Sequence, residues 1–285
     1  MTHPFTSDFA WPAPAKLNLF LHVTGRRADG YHELQTVFQF LDYGDSLYFQ
    51  PRGDGICRRT DGDETIPADT DLVVRAARLL SEVSGAGLGA DIRVKKRIPV
   101  GGGLGGGSSD AATTLVALNR LWNLGIPYDE IAQIGLRLGA DVPVFVRAQS
   151  AWAEGVGDKL WPIELPEPCY LVVTPPVSVS TAEIFTAPEL RRDEPPVDME
   201  AFRSGATHNS CEPVTRARHP AVGEVLDWLA AHGSARMSGT GASCFVAFDS
   251  LRDAERVRDQ VPSQWRSFVA HGLNRSPLAD IMRGL

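Results

Sequence analysis

The sequence predicts an α+β fold of two domains. Its strand-like segments alternate apolar and polar residues, which is typical of a sheet with one solvent-facing side and not of a buried parallel sheet. A proline-rich, acidic segment from Pro162 to Pro168 divides the 285-residue chain, which is longer than a typical single domain. After that segment the elements follow the strand, helices, strand, strand, helix, strand order of a ferredoxin-like domain. We therefore predict domains at residues 1–162 and 163–285.

The composition is that of an ordinary globular protein, with 43% hydrophobic and 22% charged residues. The net charge of −7 provides no basic footprint for nucleic acid. Four cysteines are scattered without a CxxC pair or a zinc-like spacing with histidine, which favours a reducing compartment. The first residues lack a basic start followed by an apolar core, and no apolar run approaches about 18 residues. We expect a cytoplasmic protein with no membrane partner.

The first predicted strand runs from Ala15 to Val23, directly after two prolines. Its leucines alternate with polar residues, so Lys16 and Asn18 share one face of the strand. A solvated strand face explains a single lysine as readily as a functional role does. The residues alone leave both interpretations open.

A turn follows this strand, because Asp29 and Gly30 form a strong turn signal that presents Tyr31 and His32 at its exit. A tyrosine with a purely structural role in the turn is the alternative interpretation. Residues 52–67 are acidic, polar and glycine-bearing, which predicts a strand and loop without chemistry.

The next element is a helix that ends at Ser84. Asp69, Thr70 or Asp71 can cap its first turn, and Gly85 is placed to end it. The apolar residues recur at helical spacing and define the side that faces the core.

The glycine-rich segment from Pro99 to Ala112 is the strongest functional signal in the chain. It follows a basic strand, Ala90 to Ile98, and it feeds a helix that we expect Ser108 or Ser109 to cap. Successive glycine amides form nests that bind anions, and a helix N-terminus favours negative charge. We therefore predict an anion cradle, above all for phosphate, in which the backbone amides are the binding groups. Its glycines surround Leu104 and are Gly101, Gly102, Gly103, Gly105, Gly106 and Gly107.

Other glycine-rich phosphate sites fit this segment less well. The spacing satisfies GxGxxG, but the preceding strand alternates, whereas the first strand of a dinucleotide-binding fold is an almost unbroken apolar run. No lysine follows the last glycine, as a Walker loop requires, and the protein-kinase signatures are missing from the sequence. The remaining alternative is a glycine-rich surface turn without a ligand.

A second helix is predicted from Tyr128 to Leu138, and Gly139 ends it. Asp141 then lies between this helix end and an apolar segment, which we predict to be a strand. A carboxylate beside such a hydrophobic run caps, pairs or catalyses, and the residues alone do not distinguish these roles.

The second half contains a buried-type strand from Tyr170 to Thr174 and a short helix that carries Phe185. Ser180 and Glu183 form a capping box for that helix. Further helices are predicted around 198–204 and at the segment that contains Val222, Leu226 and Leu229. The remaining predicted elements are three strands, a turn and a helix. They are the strand ARMS (235–238), a small-residue turn at 238–243, the strand CFVAF (244–248), a helix over 251–261 and the strand FVAHG (268–272). The small-residue turn could equally be a tight hairpin without function.

The segment IPVGGGLGGGSSDAA resembles the phosphate-binding motif of the GHMP small-molecule kinases, which has a proline, a short spacer, GLG, and then serines and small residues. GADVPVFV is similar to the segment that holds the catalytic aspartate of that family, and SGTGAS is similar to its third motif. The resemblance implies a two-domain fold, with an N-terminal domain like domain 2 of ribosomal protein S5 and a ferredoxin-like C-terminal domain. It also implies ATP as the phosphoryl donor, with Mg²⁺ carried by the nucleotide.

The opening APAKLNLFLHVTGRRADGYHELQTVFQFLDYGD is similar to one branch of this family, whose acceptor is a cytidine-diphosphate sugar alcohol of the non-mevalonate isoprenoid pathway. In that branch an aromatic residue and a histidine hold the cytosine ring, and a phenylalanine closes the stack. The residues that carry this match are Pro14, Ala15, Lys16, Asn18, Gly25, Asp29, Gly30, Tyr31, His32 and Gln35.

The resemblance assigns a role to each site residue. Lys16 and Asp141 would be catalytic, with Asp141 accepting or orienting the proton of the substrate hydroxyl while Lys16 neutralises developing charge. Where the family usually has Asn before Leu72, this chain has Asp71. The implied ATP-binding residues are Leu72, Lys96, Pro99, Gly101, Gly102, Gly103, Leu104, Gly105, Gly106, Gly107, Ser108 and Ser109. The implied substrate-binding residues are Asn18, Tyr31, His32, Asp141, Val156, Thr181, Phe185, Gly239 and Thr240.

Two alternatives remain at this stage. Another member of the family could accept mevalonate, homoserine or a sugar, in which case no pyrimidine site is expected. A non-catalytic nucleotide-binding or dinucleotide-dependent protein would release no phosphorylated product. The sequence leaves the oligomeric state open between a monomer and a weak homodimer.

Overall fold

The computed structural model of the chain describes residues 7–64 and 66–283. The strands are β1 (Trp11–Arg26), β2 (His32–Arg52), β3 (Cys57–Asp61), β4 (Gly89–Lys95), β5 (Ala151–Gly155), β6 (Lys159–Pro162), β7 (Cys169–Thr174), β8 (Arg236–Met237), β9 (Cys244–Phe248) and β10 (Arg266–Leu273). The helices are α1 (Leu72–Ser84), α2 (Gly106–Leu121), α3 (Tyr128–Leu136), α4 (Val142–Arg147), α5 (Thr181–Thr186), α6 (Met199–Arg203), α7 (Glu212–Arg218), α8 (Pro220–Ala230), α9 (Leu251–Arg258) and α10 (Pro277–Arg283). The first six residues, which begin the segment without an export-signal pattern, lie outside the described residues.

One sheet runs through both halves of the molecule, in the order β3-β4-β2-β10-β7-β9-β8. The long strands β1 and β2 pair antiparallel and form a hairpin, and β5 and β6 add to the same part of the sheet. The halves meet where β10 pairs with β2, at Gly272 opposite Leu41 and Leu273 opposite Phe40. The last part of the order, β10-β7-β9-β8, is the antiparallel arrangement of a ferredoxin-like domain, so that prediction is confirmed.

The hydrophobic core is divided in the same way. One cluster lies between the N-terminal strands and helices α1 to α4, and a second lies in the C-terminal half. A third, smaller cluster joins them and includes Leu17, Ile98, Leu104, Val172 and Phe245. Because Leu104 is 1% exposed in this third cluster, the single side chain of the glycine run anchors that run at the junction of the two halves.

Helix α1 begins and ends where the sequence predicts. The Asp71 carboxylate accepts a hydrogen bond from Val73 N, and Gly85 closes the helix in the left-handed conformation. Ser180 likewise caps α5 by accepting from Glu183 N.

Helix α2 begins earlier than predicted. Its N-cap is Gly105, with φ of 72°, and neither Ser108 nor Ser109 serves as the cap. The reason lies in tertiary structure, because the Ser109 hydroxyl donates to Pro14 O (2.7 Å) and is committed to β1. The glycines at 106 and 107 are therefore part of the helix and not of the preceding loop.

The segment after Asp141 is helix α4, so the prediction of a strand there is wrong. Its valines and phenylalanine favour strands locally, but all of 142–146 is buried against the first cluster, where a short helix packs. Pro143 is compatible with the first turn of a helix, where its missing N–H has no intrahelical acceptor. Helix α10, which the sequence analysis does not predict, packs Leu278 into the same cluster.

Candidate active site

A cavity of about 840 Å³ opens where the two halves meet. The glycine-rich segment forms one side of it, and the faces of β1 and β2 form another. The turn that contains Gly239, the start of α5 and Asp141 complete the lining. The cavity is large enough for a nucleotide and a second small molecule.

The carbonyl groups of the loop from Gly101 to Gly105 accept hydrogen bonds from other parts of the chain. Gly101 O accepts from Ala242 N (3.3 Å), Gly102 O from Ser243 N (3.0 Å), and Leu104 O from Lys16 N (3.0 Å). No amide from residue 101 to residue 108 donates a hydrogen bond to any of the residues that the structure describes. These amides precede and open helix α2, whose dipole adds positive potential, so the loop has the character of an anion site.

The shape of this loop requires glycine at several positions. Gly101, Gly103 and Gly105 have φ near +70°, a region that residues with side chains adopt only rarely. A Cβ at Gly103 would lie 2.2 Å from Ser238 O, and one at Gly105 would lie 2.7 Å from a ring carbon of Phe145. The prediction of a backbone cradle in place of a surface turn therefore agrees with the geometry.

Lys16 and Asp141 meet beside this loop. Lys16 Nζ lies 3.3 Å from Asp141 Oδ2 and 3.2 Å from Gly103 O, and it also donates to Asn18 Oδ1. The lysine is buried, with its ammonium 5.3 Å from the centre of the Phe38 ring, whereas the Asp141 side chain is 33% exposed. A buried cation and an accessible carboxylate thus face the cavity as a pair.

Asn18 is held in one orientation by Thr36. Asn18 Nδ2 donates to Thr36 Oγ1 (2.9 Å), and the Thr36 hydroxyl donates in turn to Phe20 O. The amide oxygen of Asn18 is therefore the atom turned toward Lys16. The shared strand face predicted for Lys16 and Asn18 is confirmed, and it is buried.

The opposite end of the cavity is aromatic. The rings of His32 and Phe185 stack, with centroids 5.1 Å apart and planes 26° from parallel. Tyr31 lies next to His32 and is 63% exposed, so most of its ring is available to a ligand. The Asp29–Gly30 turn that presents these residues has the predicted form, with Gly30 at φ of 90°.

The small-residue turn at 238–243 holds the loop and the first strand together. The Ser238 hydroxyl accepts from Asn18 N (3.1 Å) and donates to Gly103 O (2.9 Å). Thr240 Oγ1 lies 3.2 Å from Thr181 Oγ1, which links the turn to the start of α5. The three motif regions noted in the sequence therefore meet at one place.

Two family models match this chain. One is described as the GHMP kinases N terminal domain and covers residues 71–149, and the other is described as GHMP kinases C terminal and covers residues 187–267. Together they account for more than half of the chain. The chain belongs to the GHMP kinase family.

Relatives of this GHMP kinase are similar over nearly their full length. A 4-diphosphocytidyl-2-C-methyl-D-erythritol kinase from Halorhodospira halophila is 57% identical over 272 residues, which cover 94% of each chain. One with the same name from Nitrosococcus oceani is 54% identical, covering 95% of this chain and 97% of its own.

Solved structures support the same fold. The crystal structure of a 4-(cytidine 5'-diphospho)-2C-methyl-D-erythritol kinase matches with a TM-score of 0.80 and 33% identity, over 93% of this chain and 99% of the other. The mevalonate kinase of Methanococcus jannaschii matches with a TM-score of 0.69 and 16% identity, over 95% of this chain and 100% of the other, which shows the fold alone. The predicted family and two-domain α+β fold are confirmed.

The cavity of this GHMP kinase brings together nearly all of the site residues inferred from the sequence. Ser109 differs, because it lies outside the cavity lining and its hydroxyl binds β1. Asp71 lines the cavity, but its two oxygens already accept from Val73 N and from the Arg59 guanidinium. The inferred residues that do line it are Lys16, Asn18, Tyr31, His32, Leu72, Lys96, Pro99, Gly101, Gly102, Gly103, Leu104, Gly105, Gly106, Gly107, Ser108, Asp141, Val156, Thr181, Phe185, Gly239 and Thr240.

Sequence reasoning missed the surroundings of Lys96. Lys96 Nζ lies 2.5 Å from Asp45 Oδ2 and 2.7 Å from Asp110 Oδ2, and both carboxylates are buried. Asp45 also accepts from Ile98 N (2.8 Å), which fixes the chain as it enters the glycine segment. Asp110 directly follows the two serines of the motif, and that position is the signal that could have identified it.

The pKa values of Lys96 and Asp110 are both raised, for different reasons. Burial lowers the pKa of Lys96, but the two carboxylates outweigh it and the net pKa is raised. Burial raises the pKa of Asp110 to about 8, even though Lys96 opposes the change. Asp110 Oδ1 has no hydrogen-bond partner among the described residues.

Proposed function

We propose that this chain transfers the γ-phosphoryl group of ATP to the 2-hydroxyl of 4-diphosphocytidyl-2-C-methyl-D-erythritol, a step of the non-mevalonate route to isoprenoids. The observation that carries the proposal is the cavity itself. It joins an amide cradle, a Lys16–Asp141 pair and a set of aromatic rings. Relatives more than 50% identical to this chain carry the name of that kinase.

The glycine loop would hold the phosphates of ATP. Its carbonyl groups are already bound to the protein and its amides are free among the described residues, so the donors need no rearrangement when the anion arrives. Leu72 and Lys96 would lie along the nucleotide on the side of α1 and β4.

Lys16 and Asp141 would act at the acceptor hydroxyl. The hydroxyl oxygen forms a bond to the γ-phosphorus, the bond from that phosphorus to the bridging oxygen of ADP breaks, and the hydroxyl proton passes to Asp141. Lys16 Nζ stabilises the negative charge that develops on the oxygen atoms. Both groups are already positioned, which is the main requirement of a loose phosphoryl-transfer transition state.

Mg²⁺ would enter with the nucleotide. Within residues 7–64 and 66–283, no cluster of three or more His, Cys, Asp or Glu side chains is arranged to hold a metal ion. Mg²⁺ commonly takes phosphate oxygens and water as most of its ligands, so a cradle of free amides that holds the phosphates suits it. When bound, the ion neutralises phosphate charge.

The aromatic end would hold the cytosine ring. Tyr31, His32 and Phe185 offer flat surfaces and a few polar atoms, which suit a planar base. The cavity lining also includes Val156, Thr181, Gly239 and Thr240, which we assign to the diphosphate and the sugar alcohol.

An assay of ADP release from the purified full chain tests the function. We expect ADP only when ATP, Mg²⁺ and the cytidine-diphosphate acceptor are all present, and we expect cytidine diphosphate to compete with that acceptor. Turnover of mevalonate, homoserine or a sugar in place of the acceptor would favour another member of the family. No product from any acceptor would favour a non-catalytic nucleotide-binding protein.

Two further assignments, the cytoplasmic location and the domain boundary, are also proposals. Within the described residues, none of the helices is both long enough and apolar enough to cross a membrane. The cytoplasmic location is proposed from the four cysteines, all buried and free of disulfides. A domain boundary after residue 162 is proposed from the end of β6 at Pro162 and the start of β7 at Cys169.

A further inference from the structure

Arg192 occupies an unusual position behind the aromatic end of the cavity. Its guanidinium makes four hydrogen bonds: Nε donates to His32 Nε2 (3.0 Å), Nη1 to Leu190 O (2.9 Å), and Nη2 to Phe185 O (2.9 Å) and Ala187 O (2.6 Å). Arginine cannot accept a hydrogen bond, so each partner atom must be an acceptor. One side chain therefore contacts both members of the His32–Phe185 stack.

The contact with His32 has a chemical consequence. Because Nε2 must offer a lone pair to Arg192, the imidazole is neutral and carries its proton on Nδ1. No residue that the structure describes makes a hydrogen bond with His32 Nδ1, and His32 lines the cavity. The ring thus retains one N–H donor for a ligand.

The contact with Phe185 has a mechanical consequence. Phe185 lies in the last turn of α5, where helix carbonyls lack intrahelical donors. Arg192 supplies those donors, as basic residues near helix C-termini commonly do. The segment that carries Arg192 is itself tied down, because Leu190 is buried in the second cluster and Glu194 N donates to Val23 O (3.1 Å).

We propose that Arg192 is a positioning residue for base recognition: it fixes His32 as the Nδ1–H tautomer and holds Phe185 against it, so that His32 Nδ1 donates to an acceptor atom of the pyrimidine. This inference rests on the proposed function, since it assumes that the aromatic end receives a base. Arg192 touches no reacting atom and lies behind the ring stack. Its effect is confined to the acceptor end of the cavity.

Protonation of His32 would disrupt this arrangement, because an Nε2–H would face the Arg192 donor. Burial, the charge of Arg192 and the charge of Arg26 lower the pKa of His32, which favours the neutral form. Removal of Arg192 removes one of the two cationic groups that act on the ring and frees Nε2 to take the proton.

The direct test is nitrogen NMR of the histidine rings in the full chain without ligand. In the wild type we expect His32 to carry its proton on Nδ1 between about pH 6.5 and 8. In Arg192→Ala we expect loss of that single tautomer and a pKa closer to the ordinary value. Arg191→Ala is the matched control, since Arg191 is an exposed neighbour that pairs with Asp193. A wild-type His32 that is protonated on Nε2 at pH 7 would refute the proposal.

Binding provides the second readout. We expect Arg192→Ala to weaken cytidine diphosphate binding, measured by calorimetry, about tenfold, with the KM for ATP unchanged. Arg192→Lys, which keeps the charge but not the planar fork, should retain the fold and lose most of the same affinity. If both variants bind cytidine diphosphate like the wild type, the proposal is wrong.

These readouts separate the two hypotheses. If the wild type fails to phosphorylate the proposed acceptor, the proposed function fails, yet the tautomer and the cytidine diphosphate affinity still decide the role of Arg192. If turnover is normal but Arg192→Ala alters the KM for ATP and for the acceptor equally, Arg192 has a general structural role and the inference fails.

Discussion

At the scale of single residues, Lys16 is surrounded by oxygen atoms from three parts of the chain. Its Nζ contacts Asn18 Oδ1, Gly103 O and Asp141 Oδ2, which matches the three N–H donors of an ammonium group. Asn18 and Gly103 keep the ammonium in place, and Asp141 is the partner that is partly open to solvent. The substrate oxygen therefore enters beside Asp141, where a proton acceptor and a fixed cation are both within reach.

Replacement of Asp141 by Asn tests this arrangement. We expect Asp141→Asn to lower kcat by about 10²-fold or more and to change the KM for ATP much less, because the amide cannot accept the proton while the cradle is intact. Steady-state kinetics would measure both constants. Asp129→Asn, at an exposed carboxylate paired with Arg147, is the control and should behave like the wild type. Wild-type turnover in Asp141→Asn would remove this residue from the mechanism.

The raised pKa of Asp110 predicts that ATP binding depends on pH. Its pKa is raised to about 8 by burial, so the carboxyl is mostly neutral at pH 7 and becomes an anion as the pH rises through that value. An added negative charge next to the phosphate cradle disfavours ATP, so the KM for ATP should rise between pH 7 and pH 9. Asp110→Asn, which stays neutral, should flatten this rise. An equal rise in the wild type and in Asp110→Asn would assign the effect to another group.

At the scale of elements, the glycine loop and α2 act as one unit. The loop carbonyls are bound by β1 and by the 238–243 turn, which leaves the amides directed elsewhere, and α2 continues from the last of them. The nature of this element could be predicted from its glycines, because only a chain without side chains allows such close approach. Its boundary could not, since the start of α2 depends on the bond from Ser109 to Pro14, which is distant in sequence.

A methyl group at Gly103 should damage this element. Gly103 has φ of 72°, and its added Cβ would lie 2.2 Å from Ser238 O, which is a backbone atom and cannot rotate away. We expect Gly103→Ala to raise the KM for ATP at least tenfold and to lower the melting temperature, measured by kinetics and by calorimetry. Gly53→Ala is the control, because a Cβ there meets nothing within 4 Å. Unchanged ATP binding in Gly103→Ala would show that the cradle does not need this backbone shape.

At the scale of the whole molecule, the site exists because the C-terminal half supports the loop of the N-terminal half. The continuous sheet aligns the halves through β2 and β10, and the 238–243 turn reaches across to Gly101, Gly102 and Gly103. Asn209 fixes that turn, since its Nδ2 donates to Met237 O and Gly239 O, both at 2.8 Å. A residue distant from the cradle in the sequence thereby helps to determine its shape.

Replacement of Asn209 tests this long-range support. Asn209→Ala would leave buried carbonyl groups without their donor, and we expect a loss of about 2 kcal/mol in the free energy of unfolding. The KM for ATP should also rise, because the turn that holds Gly103 is loosened. Denaturant unfolding and kinetics measure the two effects. Gln133→Ala is the control, because it removes an amide side chain from an exposed position of helix α3. If Asn209→Ala is destabilised but binds ATP normally, the turn does not support the cradle.

Four features of this protein could be predicted from its amino acids: the glycine cradle, the caps of α1 and α5, the turn before Tyr31, and the ferredoxin-like order of the second half. The cradle, the caps and the turn follow from the conformational limits of a few adjacent residues, and the ferredoxin-like order follows from the succession of elements along the chain. Tertiary structure alone decided that the apolar residues after Asp141 form a helix, that Ser109 binds β1, and that Asp45 and Asp110 enclose Lys96. The reason is that burial and hydrogen bonding there depend on partners outside the local segment: Lys96 is 51 residues from Asp45 and 14 from Asp110, and Ser109 is 95 residues from Pro14. Local pattern carries no information about such partners.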